Sequence, residues 1–410
     1  MAACCVTLLA NPASAATEKI LYVFGGASRG AEPAGPLTAD AAGNLYGTTN
    51  IGGTYGHGVV FKLTPASGAW RETVLYNFAG GFHNGAFPQN RLAIDSAGNI
   101  FGATVGGGND WSNPAIHGWG VIYELSPSGT GYTETVLHLF AANQRTTAGI
   151  LLDKSGNLYG ETGGGEPSSE GTIYEMRPSS TGWAYRTIYN FAGGAGGNVP
   201  IGDLTFGADG NLYGTTANGG DGCPAGCGVI FQLVHGANNT WTEKVIYAFQ
   251  DGADGGYPQE GPLVFDSAGN IYGAVGFGGD FSCESPNGCG VVYELSPSSS
   301  GSWTYTVLHT FTGSPNDGGD AAAGVTFDNT GNLWGTTAVG GADGFGTLYE
   351  LTPASGGNWP ETVVYSFTNG DDGGYPSVPL LLIGSNIYGT TGSGGANGQG
   401  VAYEFPGAAK

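Results

Sequence analysis

Apolar and polar residues alternate along this chain in short bursts, and the bursts recur. The run Glu72-Thr73-Val74-Leu75-Tyr76-Asn77-Phe78 has close copies ending in Phe140, Phe191, Phe249, Phe311 and Phe367. A second run, Gly58-Val59-Val60-Phe61-Lys62-Leu63, returns at Gly120, Gly171, Gly228, Gly290, Gly346 and Gly400. A third, Gly43-Asn44-Leu45-Tyr46-Gly47, returns around Asn99, Asn157, Asn211, Asn270, Asn332 and Asn386, with successive Asn residues 54 to 62 positions apart. Runs this short, rich in Val, Ile, Leu, Tyr, Phe and Thr and punctuated by Gly, Pro, Ser and Asn, predict strands. With the apolar stretch ahead of each Asn turn, a unit holds four: a (Leu37 to Asp40 in the first unit), b (Asn44 to Thr49), c (Gly58 to Leu63) and d (Glu72 to Phe78).

One four-stranded meander cannot bury both its faces, so neighbouring units must stack, and a four-strand period of about 40 to 50 residues is that of a propeller blade. The period here is slightly longer because its connections are long. The seventh unit stops after strand c at Phe405, whereas an orphan copy of strand d, Glu18 to Phe24, precedes the first unit. Pairing the two leaves no open sheet edge. The sequence therefore predicts an all-β, seven-bladed propeller of four-stranded antiparallel blades, closed by the N-terminal strand, as one domain over residues 17–406 with a tail at 407–410. Helical periodicity is absent, and 80 Gly in 410 residues would each weaken a helix interior by roughly 1 kcal/mol.

Recurrent features are read first as structural. Asp40, Asp95, Asp153, Asp266 and Asp328 stand four positions before the Asn, where an Asx-type hydrogen bond closes the a-to-b turn. The strand-b aromatics, Tyr46 to Tyr388, are expected to fill the core between blades. His138 and His309 replace the Tyr of strand d and are read as packing substitutes.

Residues 1–16 end in Ala13-Ser14-Ala15 and read as the remnant of a secretory signal peptide, which places the protein outside the cytoplasm, secreted or periplasmic. No run reaches the length of a membrane span. Cys223 with Cys227 and Cys283 with Cys289 lie in b-to-c loops of adjacent blades and are expected to pair as disulfides, as exported proteins favour. A four-cysteine zinc site is the alternative, although the spacing is not that of zinc knuckles. A formal charge of -22 with only 11 Lys and Arg argues against nucleic acid and anionic lipid as partners.

In such a meander the b-to-c and d-to-a connections share one end of the ring, and here they are long and variable, so that end is the expected functional face. Basic candidates gather on one sector of it: Arg29, His83 and Arg145 five positions after the last Phe of strand d, Arg91 at the mouth of strand a, and His57 and His117 in b-to-c loops. Phe82, Phe87, Trp111 and Trp119 accompany them. The opposite sector is acidic, with Asp251, Asp254, Asp317, Asp320, Asp371 and Asp372. A basic sector with aromatic rings could hold an acidic sugar or a carboxylate; Gly-rich loops also tolerate any polar residue without a function. No cofactor or metal site is expected, calcium at pairs such as Asp371-Asp372 being the alternative. Serine-hydrolase, zinc-protease and phosphate-loop strings are missing; a catalytic set drawn from several blades, with His83 or His57 as base, stays open.

Written as D-x-x-G-N-L-Y-G-T-T, then G-x-G-V-V-F-x-L-T-P, then E-T-V-L-Y-x-F, the repeat resembles the GloVer-type tandem repeat of secreted or surface-anchored bacterial proteins, over nearly all of the chain after the leader. The resemblance implies export and a repeat architecture, and no reaction. Members often carry a C-terminal surface anchor, whereas this chain ends at Glu404-Phe405-Pro406-Gly407-Ala408-Ala409-Lys410. The expected function is a secreted, noncatalytic, monomeric propeller binding a glycan or an extracellular protein by its long-loop face. A lyase or glycosidase acting on acidic polysaccharide is the alternative, and a structural surface component a further one.

Overall fold

The four recurring runs become seven small antiparallel sheets arranged as blades of a ring. The computed structural model describes residues 17–109, 117–129, 131–141, 144–164, 170–224, 226–259, 261–283, 286–321 and 323–409. The expected leader, residues 1–16, and Trp111 lie outside them. In the first blade the strands are Thr38–Ala39, Leu45–Ile51, Val59–Ala66 and Ala69–Asn77. Among the described residues no helix is long and apolar enough to cross a membrane.

The seventh blade is completed from the other end of the chain. Lys19–Val23 lies antiparallel to Val401–Phe405, with Ile20 opposite Tyr403 and Val23 opposite Val401. Lys19 Nζ reaches Glu404 Oε2 at 2.8 Å across the seam. The N–H of Phe24 donates to the carbonyl of Gly400 at 3.0 Å, as that of Phe78 does to Gly58 at 3.1 Å in the first blade.

Sequence regularities have direct packing causes. In strand b the Gly after the aromatic (Gly47, Gly102, Gly160, Gly214, Gly273, Gly335, Gly389) is where the strand-c ring of the same blade (Phe61, Tyr123, Tyr174, Phe231, Tyr293, Tyr349, Tyr403) crosses the backbone, so a Cβ would strike that ring. The strand-b aromatics are all buried between blades. Asp40 closes the a-to-b turn as expected: its Oδ1 accepts the N–H of Ala42 at 2.9 Å and of Asn44 at 3.0 Å, and its Oδ2 accepts Asn44 Nδ2 and the Tyr46 hydroxyl. At Asp328, burial disfavours the charge, but the Trp334 indole and the N–H groups of Asn332 and Thr330 outweigh it and hold the carboxyl at about 2.

Three features depart from the sequence reading. Strand d carries an extra residue opposite strand c in every blade, at Leu21, Leu75, Leu137, Ile188, Ile246, Leu308 and Val364, a bulge that lets two consecutive side chains be accommodated at the blade joint. The c-to-d hairpin runs on past the expected ends, with Pro65 paired to Trp70. The Gly-rich d-to-a connections are not wholly loops: Ala31–Pro33, Gly85–Ala86 and Gly318–Gly319 pair with extensions of strand b. Such pairing uses main-chain groups alone and leaves no side-chain pattern to read.

Cys223–Cys227 and Cys283–Cys289 are disulfides, so the zinc alternative for these four residues falls away. Successive blades are joined along strand d by one repeated contact. The Tyr76 hydroxyl donates to Glu134 Oε2 at 2.7 Å and that of Tyr189 to Glu243 Oε2 at 2.7 Å. Where the next blade offers Tyr instead of Glu the contact becomes a ring stack: His138 on Tyr185 at 3.8 Å and Tyr247 on Tyr305 at 4.1 Å. Burial pushes His138 down to about 4, in keeping with a packing role.

The seam uses the same contact, Tyr365 to Glu18 at 3.4 Å, beside Asp372. Burial, then the Asp372 charge, push Glu18 from 4.5 up to about 8 against the opposing Tyr365 hydrogen bond. The unfolded chain ionises Glu18 at its ordinary value while the closed ring keeps it protonated, so the seam is strongest at low pH and weakens as pH rises from 4.5 through about 8. The melting temperature of the wild type is expected to fall more between pH 5 and pH 8 than that of Glu18→Gln; parallel pH profiles would show that Glu18 ionises freely.

Candidate functional site

The long-loop face is built around a repeated backbone device. Glu32, Phe87, Val199, Tyr257, Asp320 and Tyr375 hold equivalent places in the d-to-a connections, and all have φ between +50° and +58°. The left-handed conformation costs a non-Gly residue about 1–2 kcal/mol. It is offset because each N–H donates to a b-to-c carbonyl of the preceding blade: Gln399, His57, Glu170, Cys227, Cys289 and Phe345, in that order, at 2.7 to 3.1 Å. The device locks neighbouring blades and fixes each side chain beside the loop it grips. Phe87 thereby stands between His57 and His117, edge to face at 5.6 and 5.9 Å. Tyr257 meets Phe277 at 6.1 Å and Tyr375 meets Phe345 at 5.5 Å. Tyr375, Tyr55, Phe82 and Phe281 are large apolar side chains left exposed on this face.

The basic candidates do not share one partner. Arg29 is exposed at the seam between the last and first blades, 3.6 Å from Glu72 Oε2. His83 and Arg145 are exposed in the connections that enter the second and third blades. Burial, then the nearby His117, push His57 below its ordinary value. Trp119 packs against the core between the second and third blades. The acidic candidates turn inward. Asp254 accepts the Tyr247 hydroxyl at 2.7 Å and the N–H of Gln250 at 2.9 Å. Asp372 accepts the Tyr365 hydroxyl at 3.1 Å and the N–H of Thr368 at 2.9 Å. Asp317 accepts the N–H groups of Thr312 at 2.8 Å and Gly318 at 2.6 Å. All three close their own loops.

Arg91 belongs to the central channel. Its Nη2 lies 2.9 Å from Asp203 Oδ2, reaching from the second blade to the fourth. Gly149 of the third blade lies beneath the pair, and its N–H donates to Asp203 Oδ1 at 2.9 Å. A Cβ there would collide with both partners. A channel cavity of about 380 Å³ is lined by Arg91, Thr205, Phe206, Pro262, Phe265 and Thr326 among others. Near Asp203, Glu161 is fully buried, and neither carboxyl oxygen has a hydrogen-bond partner. Burial, reinforced by the Asp203 charge, pushes Glu161 well above the usual carboxyl range. The sequence reading missed Glu161, although the signal was there: Thr48, Thr215, Thr336 and Thr390 hold that place in other units.

It also missed a cleft on the short-loop face between the third and fourth blades. About 540 Å³ in volume, it is lined by Asp153, Lys154, Tyr159, Arg177, His235 and Trp241 among others. His235 stacks on Trp241 at 4.5 Å, and Arg177 spans from Glu175 at 2.8 Å to Asn239 at 3.1 Å. No local motif predicts it, because its walls come from different blades.

The sequence profile of the Gloeobacter/Verrucomicrobia repeat matches residues 111–283 and 279–410. No curated protein matches the chain significantly. Among solved structures, a candidate 6-phosphogluconolactonase from Bacteroides uniformis is similar at 14% identity and a TM-score of 0.51, over 86% of this chain and 88% of that one. The extracellular domain of a candidate one-component system from B. thetaiotaomicron is similar at 11% identity and 0.51, over 92% of this chain and 39% of that one. Puromycin hydrolase is similar at 13% identity and 0.51, over 89% and 50%. At these identities the likeness is one of fold alone.

Proposed function

The chain belongs to the Gloeobacter/Verrucomicrobia repeat family, and from that premise we propose that it is an exported, noncatalytic propeller that binds a glycan by its long-loop face. The observation that carries the reading is the set of rings at Phe87, Tyr257 and Tyr375, each held at positive φ against an aromatic of a b-to-c loop. Aromatic rings on a rigid scaffold pack on the apolar faces of sugars without ordering a flexible loop. The disulfides in two b-to-c loops fit an oxidising compartment. An extracellular protein ligand uses the same surface in the second form of this reading.

A formal charge of -22 repels polyanions, which favours a neutral glycan over the acidic polysaccharide of a lyase or glycosidase. That alternative draws on the channel group Arg91, Asp203 and Glu161, yet Glu161 is wholly shielded from any substrate. On a glycan array the wild type is expected to give a defined set of positives, and Phe87→Ala with Tyr375→Ala to weaken them at least tenfold. Binding unchanged in both variants moves the site off this face. An absorbance rise from unsaturated uronate on polyuronates would establish the lyase instead.

A further inference from the structure

At two blade joints a strand-d Tyr lies between two acidic or amide groups, one on strand d of the next blade and one in its own following connection. Tyr365 donates to Asp372 at 3.1 Å and lies 3.4 Å from Glu18, and Tyr76 lies between Glu134 at 2.7 Å and Asn84 at 2.9 Å. At the joint of the fifth and sixth blades the phenol is replaced by the shorter imidazole of His309, while both acidic neighbours are kept. His309 Nε2 lies 3.4 Å from Asp317 Oδ2 and 3.8 Å from Glu361 Oε2. The three donor atoms all fall within 4.8 Å of one another.

The group is withdrawn from water: the side chains of Asp317, Glu361 and His309 are 9%, 11% and 18% exposed. His309 Nε2 and Glu361 Oε1 are buried without a hydrogen-bond partner. Two carboxylates facing an imidazole lone pair repel one another in such a setting, and a cation between them removes the repulsion. Bonds of about 2.0–2.1 Å in a tetrahedron place neighbouring donors about 3.3–3.4 Å apart, close to the Asp317 contact and a few tenths of an ångström shorter than the Glu361 contact. The N–H groups of Thr312 and Gly318 already orient the Asp317 carboxylate, as outer partners of metal ligands do.

We propose that His309, Asp317 and Glu361 form a divalent metal site that clamps the fifth blade to the sixth. One imidazole nitrogen with two carboxylates suits a borderline transition ion such as Zn²⁺, and not Ca²⁺, which takes six to eight oxygens. Water completes the coordination. The site would add metal binding to the packing of His309 on Phe311, whereas the same replacement at His138 meets a Tyr instead of a carboxylate and stacks.

The test is zinc titration of chelator-treated, tag-free protein at pH 7.5, followed by calorimetry and by bound-metal analysis after gel filtration. One Zn²⁺ per chain and a higher melting temperature are expected. His309→Tyr gives the residue found at five of the other joints, so it should stay folded and lose at least 100-fold in affinity. Glu361→Gln preserves the side-chain shape and gives the same reading should His309→Tyr fail to fold. Absence of stoichiometric zinc, or equal affinity in wild type and both variants, overturns the site.

Discussion

Phe24→Ala is expected to lower the unfolding free energy by about 3–5 kcal/mol, the range for emptying an aromatic from a packed core. Phe24 is fully buried and packs edge to face on Tyr22 at 5.0 Å and Phe61 at 5.1 Å. It belongs to the core that joins the last blade to the first, with Leu37, Leu45, Leu63, Tyr388 and Ala402. A residue so near the start of the chain would ordinarily tolerate truncation; closure of the ring makes this one as internal as Phe78. Phe78→Ala is therefore the matched control, and urea unfolding of the two should show losses of similar size. A loss below about 1 kcal/mol for Phe24→Ala, with a large one for Phe78→Ala, would mean that the first strand does not seal the ring in solution.

Glu161→Thr is expected to raise stability by about 1–3 kcal/mol, the penalty of a buried polar group left without a partner. Threonine is the residue of Thr48, Thr336 and Thr390 at the same repeat position, so the backbone accepts it. The sign with pH follows from the raised folded value: above the ordinary carboxyl range the unfolded chain releases the Glu161 proton and the native protein does not, so the wild type loses stability as pH rises. The gap between variant and wild type should accordingly be wider at pH 8 than at pH 5. A constant gap would indicate that channel water solvates the carboxyl. If the variant instead loses ligand binding, the channel group takes part in recognition, and the long-loop reading must extend inward.

Disulfides, turn aspartates and core aromatics were legible because each follows from a local rule: an Asp four positions before Asn in five units, an aromatic before a Gly in all seven, two Cys within one loop in two. The candidate face was legible only as loop length. Arg29, His83, Arg91 and Arg145 look alike in sequence, yet Arg91 turns into the channel against Asp203 while Arg29 lies at an outer joint against Glu72. Asp254, Asp317 and Asp372 read as an acidic surface, and the fold draws them into loop closure. The difference rests on contacts between residues a blade apart, which no window of sequence contains.

The sequence by itself determined the strands, their number per unit, the count of seven units and the seam between the two ends, because a period repeated this often admits one way of burying every apolar face. Only the tertiary structure decided which polar residues meet. Whether a His stacks on a Tyr or faces two carboxylates, and whether a Glu reaches water, depends on the side chain that the neighbouring blade presents at a few ångströms. That side chain lies a whole repeat away along the chain.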